Sequence, residues 1–130
     1  MVGVVIVSHS QKVAEGIREM ALQMARPGQK IIAAGGMENG NIGTDVTRVS
    51  EAIIAANTGD GVAVMVDLGS AVMTTETVLE LLSEEFRETV KIADAPILEG
   101  AISAVVEASL GSSLAIVVRT AEGARNLKKC

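Results

Sequence analysis

The feature that most constrains this chain is the run Val4-Val5-Ile6-Val7, followed at once by Ser8-His9-Ser10. Four consecutive β-branched residues without a polar interruption predict a strand covered on both faces, as in a parallel sheet. The run ends on polar residues and on the only histidine of the chain. In open α/β sheets the carboxyl ends of the strands border the ligand crevice, and histidine titrates near neutrality without help. His9 is therefore a candidate for chemistry. A histidine that merely satisfies a loop is the plain alternative at this point.

After His9 the pattern changes to helical spacing. Val13, Ile17, Met20, Ala21 and Met24 predict an amphipathic helix over about 10–25, with Ser10 as its cap and Arg26-Pro27-Gly28 as its stop. Lys30–Ala34 reads as a second strand. The glycine-rich stretch 35–44 reads as a loop; it lacks the Gly-Lys-Ser/Thr of a Walker A loop. Thr44 is expected to cap the next helix, which carries Val46, Val49, Ile53 and Ile54.

Val62–Val66 is a third apolar strand and ends on Asp67-Leu68-Gly69-Ser70. A helix over about 70–83 follows, with Ser70 as a possible cap. Lys91–Ala93 predicts a short fourth strand, and Pro96 suits the first turn of a helix over 97–110. That helix is apolar around much of its circumference, which suggests a second buried contact such as a subunit interface. Leu114–Val118 predicts a fifth strand, whose direction the pattern leaves open.

Alternating strands and helices predict a single α/β domain over 1–130, an open and mainly parallel five-stranded sheet with helices on both faces. Right-handed crossovers with one reversal give the order 2-1-3-4-5. That order sets strand 1 beside strand 3 and brings His9 and Asp67 to adjacent strand ends. A carboxylate on one ring nitrogen fixes the tautomer and frees the other to attack. General acid–base work or phosphoryl transfer would suit such a pair. Small residues and helix starts nearby favour phosphoryl transfer.

Composition narrows the classes. Of 130 residues 48% are apolar but only 1% aromatic, the single Phe86, so no stacking platform for nucleic acid exists. The net charge of −5 points the same way. Cys130 is the only cysteine, which excludes an internal disulfide and a cysteine metal set. No apolar run reaches membrane-spanning length, and no basic leader or cleavage site precedes the first strand. The expectation is a cytoplasmic protein with no membrane contact.

Four stretches taken in order carry a family resemblance: Val-Ile-Val-Ser-His-Ser at 5–10, Ile-Gly-Thr-Asp at 42–45, Asp-Leu-Gly-Ser-Ala at 67–71 and Ala-Pro-Ile-Leu-Glu-Gly-Ala at 95–101. Together they resemble the phosphotransfer subunit of the phosphoenolpyruvate-dependent dihydroxyacetone kinase, in the mannose-type IIA branch of the phosphotransferase system. The resemblance implies that His9 receives a phosphoryl group from the histidine-containing phosphocarrier protein. It implies transfer onward to ADP on a separate kinase subunit, where the nucleotide and its magnesium stay bound. It implies Asp67 as the supporting carboxylate and a homodimeric assembly. Ser8, Ser10, Gly43, Thr44, Gly69 and Ser70 are expected to line the phosphoryl site, and no metal or cofactor is expected on this chain. Two alternatives stand beside this reading. One is a mannose-type IIA component serving sugar transport; the other, of a different class, is a receiver-like regulatory module, for which Asp67 at the end of strand 3 speaks.

Overall fold

The computed structural model describes residues 1–130. Its sheet has four strands in the order β2-β1-β3-β4, all parallel. The strands are β1 (Gly3–Ser8), β2 (Ile31–Gly35), β3 (Val62–Val66) and β4 (Val90–Ala93). The helices are α1 (Gln11–Leu22), α2 (Val46–Ala56), α3 (Gly69–Leu81), the single turn α4 (Glu84–Arg87), α5 (Ile97–Ser109) and α6 (Leu114–Gly123). A short 3-10 turn, Ala124–Asn126, closes the ordered succession.

The central strands β1 and β3 are buried along their whole lengths. Alternate side chains point to opposite faces of a strand, so each strand feeds two cores. Val4, Ile6, Ala63 and Met65 pack with α1, α5 and α6 residues such as Ala14, Ala104, Val105 and Val117. Val5, Val7, Val62 and Val64 pack with Val49 and Ile53 of α2 and Val78 of α3. Gly3 is where the second layer comes closest: a Cβ there would lie 2.2 Å from the Ala56 carbonyl oxygen at the end of α2. Only glycine permits that approach. No helix is long and apolar enough to cross a membrane.

The expected fifth strand is a helix, so the five-stranded order 2-1-3-4-5 is corrected to four strands. Leu-Ala-Ile-Val-Val has strand-like composition, but a short apolar run fits either period. Its surroundings decide the outcome. The Ser113 hydroxyl accepts from the N–H of Ile116 (3.4 Å), in the capping position. Val117 and Ala121, one helical turn apart, are buried on the α5 side of the sheet. Glu107 of α5 then accepts from Ser112 (2.6 Å) and Thr120 (2.9 Å), tying α6 to α5. The extra apolar surface of α5 is therefore covered largely by α6 of the same chain and gives no independent sign of a subunit contact.

Two helix caps also differ from expectation. Asp45, not Thr44, caps α2, accepting from the N–H groups of Thr47 (2.8 Å) and Arg48 (3.3 Å). Leu68 occupies the cap of α3 with no side-chain bond, and Ser70 lies inside the first turn. Ser10 does cap α1, accepting from Val13 at 3.2 Å.

Candidate functional site

The site forms where β1 and β3 end side by side. Val7 pairs with Val66 in the parallel register, so the next residues, Ser8-His9 and Asp67, emerge together at the carboxyl edge of the sheet. Asp67 is bound to β1 through both of its oxygens. Oδ2 accepts from the Ser8 hydroxyl and from the His9 backbone N–H, each at 2.9 Å. Oδ1 accepts from His9 Nδ1 at 2.8 Å and from the Leu68 N–H at 2.7 Å. The side chains of His9 and Asp67 are 18% and 17% exposed, so the pair is sheltered but reachable.

These contacts set the charge state. Burial pushes the Asp67 carboxyl up, but the His9 N–H, the His9 ring, the Ser8 hydroxyl and the Leu68 N–H together outweigh it. The carboxyl lies below its ordinary value. An ionised carboxylate only accepts, so the hydrogen of the His9 ring sits on Nδ1. Nε2 hydrogen-bonds with the Ser70 hydroxyl; in the neutral ring with its hydrogen on Nδ1, Nε2 is the acceptor.

The residues expected to line the site fall into three groups. Ser70 reaches the ring directly. Gly69 and Ser70 open α3, where the first N–H groups of a helix have no acceptor within it. Ser8 is fully buried and acts beneath the pair, donating to Asp67 and accepting from the Ser10 N–H (3.1 Å). Gly43 donates its N–H to the His9 carbonyl at 2.8 Å, at a φ of +145° that favours glycine. Thr44 bonds the Thr74 hydroxyl at 2.7 Å and so ties the 36–45 loop to α3. Ser10 serves as the α1 cap and makes no bond to the His9 ring. Thr74 was not foreseen, because a mid-helix threonine carries no mark of a loop partner 30 residues earlier.

Three exposed apolar side chains lie next in the chain to residues of this cluster. Ile42 precedes Gly43 and is 74% exposed; Leu68 follows Asp67 and is 64% exposed; Met73 stands one turn after Ser70 and is 68% exposed. No group of three or more His, Cys, Asp or Glu side chains is placed to hold a metal.

Comparison with known proteins agrees with this arrangement. The model of the EIIA-man family, described as PTS system fructose IIA component, matches residues 3–118. A phosphoryl donor subunit DhaM of PEP-dependent dihydroxyacetone kinase 2 from Listeria innocua is 38% identical over 87% of this chain and 90% of its own length. The DhaM of Escherichia coli K12 is 41% identical over 99% of this chain, which spans only 28% of that longer protein. Among solved structures, one of a protein of unknown function superposes with a TM-score of 0.82 at 28% identity, over 95% of each chain. A phosphotransferase system component EIIA from Streptococcus agalactiae shares the fold, with a TM-score of 0.70 at 14% identity over 99% of this chain and 97% of its own. The chain thus belongs to the EIIA-man family, among the phosphoryl donor subunits of dihydroxyacetone kinase, and is a phosphotransfer carrier.

Proposed function

We propose that the phosphoryl group is carried on Nε2 of His9. The observation that supports this is the division of labour on the ring: Asp67 occupies Nδ1, while Nε2 faces only the Ser70 hydroxyl. In the incoming step the Nε2 lone pair attacks phosphorus in line. The donor's P–N bond breaks and its electron pair returns to the donor imidazole. The Nδ1 hydrogen stays in place, and Asp67 balances the positive charge that develops on the ring. Ser70 releases Nε2 and turns its hydroxyl to a phosphoryl oxygen, joined by the open N–H groups of Gly69 and Ser70. The outgoing step is the reverse, to a different acceptor.

The donor on this reading is the histidine-containing phosphocarrier protein, and the acceptor is ADP held with magnesium on the nucleotide subunit of dihydroxyacetone kinase. The chain is then a component of the phosphoenolpyruvate-dependent dihydroxyacetone phosphotransferase, working in the cytoplasm, with no metal or cofactor of its own. The names of the relatives, phosphoryl donor subunits of dihydroxyacetone kinase, support a kinase partner as the recipient. The apolar rim of Ile42, Leu68 and Met73 supports protein partners on both sides of the exchange, since a small phosphate ester has no use for exposed hydrocarbon. A homodimer is part of the same reading.

The test is intact-mass analysis after incubation with phosphoenolpyruvate, the histidine-containing phosphocarrier protein and the enzyme that charges that carrier from phosphoenolpyruvate. One phosphoryl group is expected, lost in acid and absent from His9→Ala. Phosphorus NMR of the product assigns the nitrogen. A stable, acid-resistant adduct, or one retained by His9→Ala, overturns the reading. Addition of the ADP-loaded kinase subunit is expected to discharge the label.

A further inference from the structure

Asp67, His9 and Ser70 form a chain of contacts through the two ring nitrogens. Oδ1 of Asp67 is 2.8 Å from Nδ1 of His9, and Nε2, the other ring nitrogen, bonds the Ser70 hydroxyl. Carboxylate, imidazole and hydroxyl in this succession are the parts of an activated serine. The carboxylate fixes the tautomer and balances the imidazolium, the free ring nitrogen takes the hydroxyl proton, and the oxygen attacks. Such a triad is recognised by geometry and roles, whatever the order of its members along the chain. The Ser8 hydroxyl and the His9 N–H also hold Asp67, each at 2.9 Å, so the carboxylate that orients the ring is itself fixed.

The surroundings of Ser70 suit a nucleophile. The residue is exposed, whereas the ring behind it is largely sheltered, so an incoming molecule meets the hydroxyl first. Ser70 is the second residue of α3, a helix of 13 residues. The N–H groups of Ala71 and Val72 bond the Leu68 carbonyl. Those of Gly69 and Ser70, at the helix start, have no acceptor within the helix and are open to negative charge developing on a substrate oxygen. A groove of about 430 Å³ opens beside Gly69. Val66, Val72 and Ile92 give it an apolar wall, Glu76 and Asp94 add carboxylates, and no lysine or arginine lines it. Such a groove takes a short uncharged acyl chain and disfavours an anionic one.

We propose that Ser70 is a nucleophile for acyl transfer, with His9 as its base and Asp67 as the supporting carboxylate, and that the dephosphorylated chain hydrolyses small neutral activated esters. Ser70 Oγ attacks the ester carbonyl carbon, and its proton passes to Nε2 of His9. The tetrahedral intermediate then collapses. The bond from carbon to the leaving oxygen breaks, and that oxygen takes the proton from Nε2, which leaves an acyl-serine. Water repeats the sequence: its proton goes to Nε2, its oxygen attacks the acyl carbon, and Ser70 Oγ departs with the proton. The products are the acid and the alcohol, and the site is restored. A ring that carries a phosphoryl group on Nε2 has no lone pair for the proton, so charging of His9 and ester hydrolysis exclude one another. The acyl chemistry itself does not depend on which partner charges His9.

The test is hydrolysis of para-nitrophenyl acetate by the full chain, together with labelling by a fluorophosphonate probe and peptide mass mapping. A single probe is expected on wild type, on the peptide that holds Ser70, and none on Ser70→Ala. Ser70→Ala, with folding confirmed by circular dichroism, is expected to hydrolyse the ester about 10²-fold more slowly. The same variant uncovers Nε2, so direct attack by the imidazole predicts the opposite, hydrolysis retained or raised, and that result overturns the proposal. His9→Ala is expected to lose both labelling and hydrolysis; a probe still bound to Ser70 at the wild-type rate removes His9 as the base and overturns it too. Charging of His9 from phosphoenolpyruvate is expected to lower hydrolysis in proportion to the phosphorylated fraction. If Ser70 takes no probe while His9 is charged, the triad is overturned and the carrier stands. If Ser70 is labelled and His9 takes no phosphoryl group, the carrier reading fails and the triad stands.

Discussion

His9 presents its backbone N–H and its ring Nδ1 to different oxygens of the same carboxylate, Asp67, at 2.9 and 2.8 Å. The clamp fixes the position of the main chain and the orientation of the ring by one group. A side chain held at both ends loses little further freedom when it reacts.

Replacing Asp67 by Asn keeps the shape and removes the charge. The amide NH2 would compete for the Nδ1 position and favour the wrong tautomer. The variant is expected to fold and to accept phosphoryl groups about 10²–10³-fold more slowly, the range for loss of a preorganised electrostatic partner. Rapid-quench measurement of label transfer checks this. Wild-type rates in Asp67→Asn would remove the carboxylate from the mechanism.

Ser70→Ala deletes the hydroxyl that touches Nε2. One hydrogen bond to a charged group contributes about 1.5–3 kcal/mol. The unmodified form loses its bond to Nε2 as well, so the phosphorylated form is expected to lose the difference, several-fold in its equilibrium against the donor. The phosphorylated fraction at fixed donor ratios gives the answer.

Acid stability has a defined sign. The Asp67 carboxyl is lowered from its usual 3.8 in the folded chain. Its contribution is fully present above that unfolded value and is lost as the pH falls through the lower, folded one. Thermal melts of wild type should fall across this acid window more steeply than those of Asp67→Asn. Parallel curves would show that the carboxylate contributes nothing to folding.

The helical state of 114–123 is tested at its cap. Ser113→Ala removes the acceptor for the Ile116 N–H and is expected to cost about 1 kcal/mol in chemical denaturation. A fifth strand would leave this residue outside any regular hydrogen bonding, and the substitution would then be neutral.

The strands that place the site are legible because Val4–Val7 is β-branched throughout and Val62–Val66 is apolar throughout, and both are short and bounded by polar or turn residues. Val4–Val7 and Val62–Val66 were found, and topology rules then brought His9 and Asp67 together. Residues 114–118 were misread because Leu-Ala-Ile-Val-Val satisfies both periods; the decision lies in burial against α5, which sequence spacing alone does not carry. Thr44 and Asp45 are adjacent residues that both suit a cap, and the loop geometry gave the role to the second. Ser8 was expected at the surface of the site and lies under it, fully buried. Its direction is set by the register of β1, and a one-residue shift would turn it outward.

The clamp on Asp67 joins residues 58 positions apart in the chain. Neither half has a reactive histidine by itself, because the imidazole acquires its tautomer and its shelter only after β1 and β3 have zipped into register. Competence to be charged is thus a certificate of completed folding. A nascent or misassembled copy, without the clamp, is expected to be charged no faster than Asp67→Asn, so chains whose central ladder is closed dominate the relay.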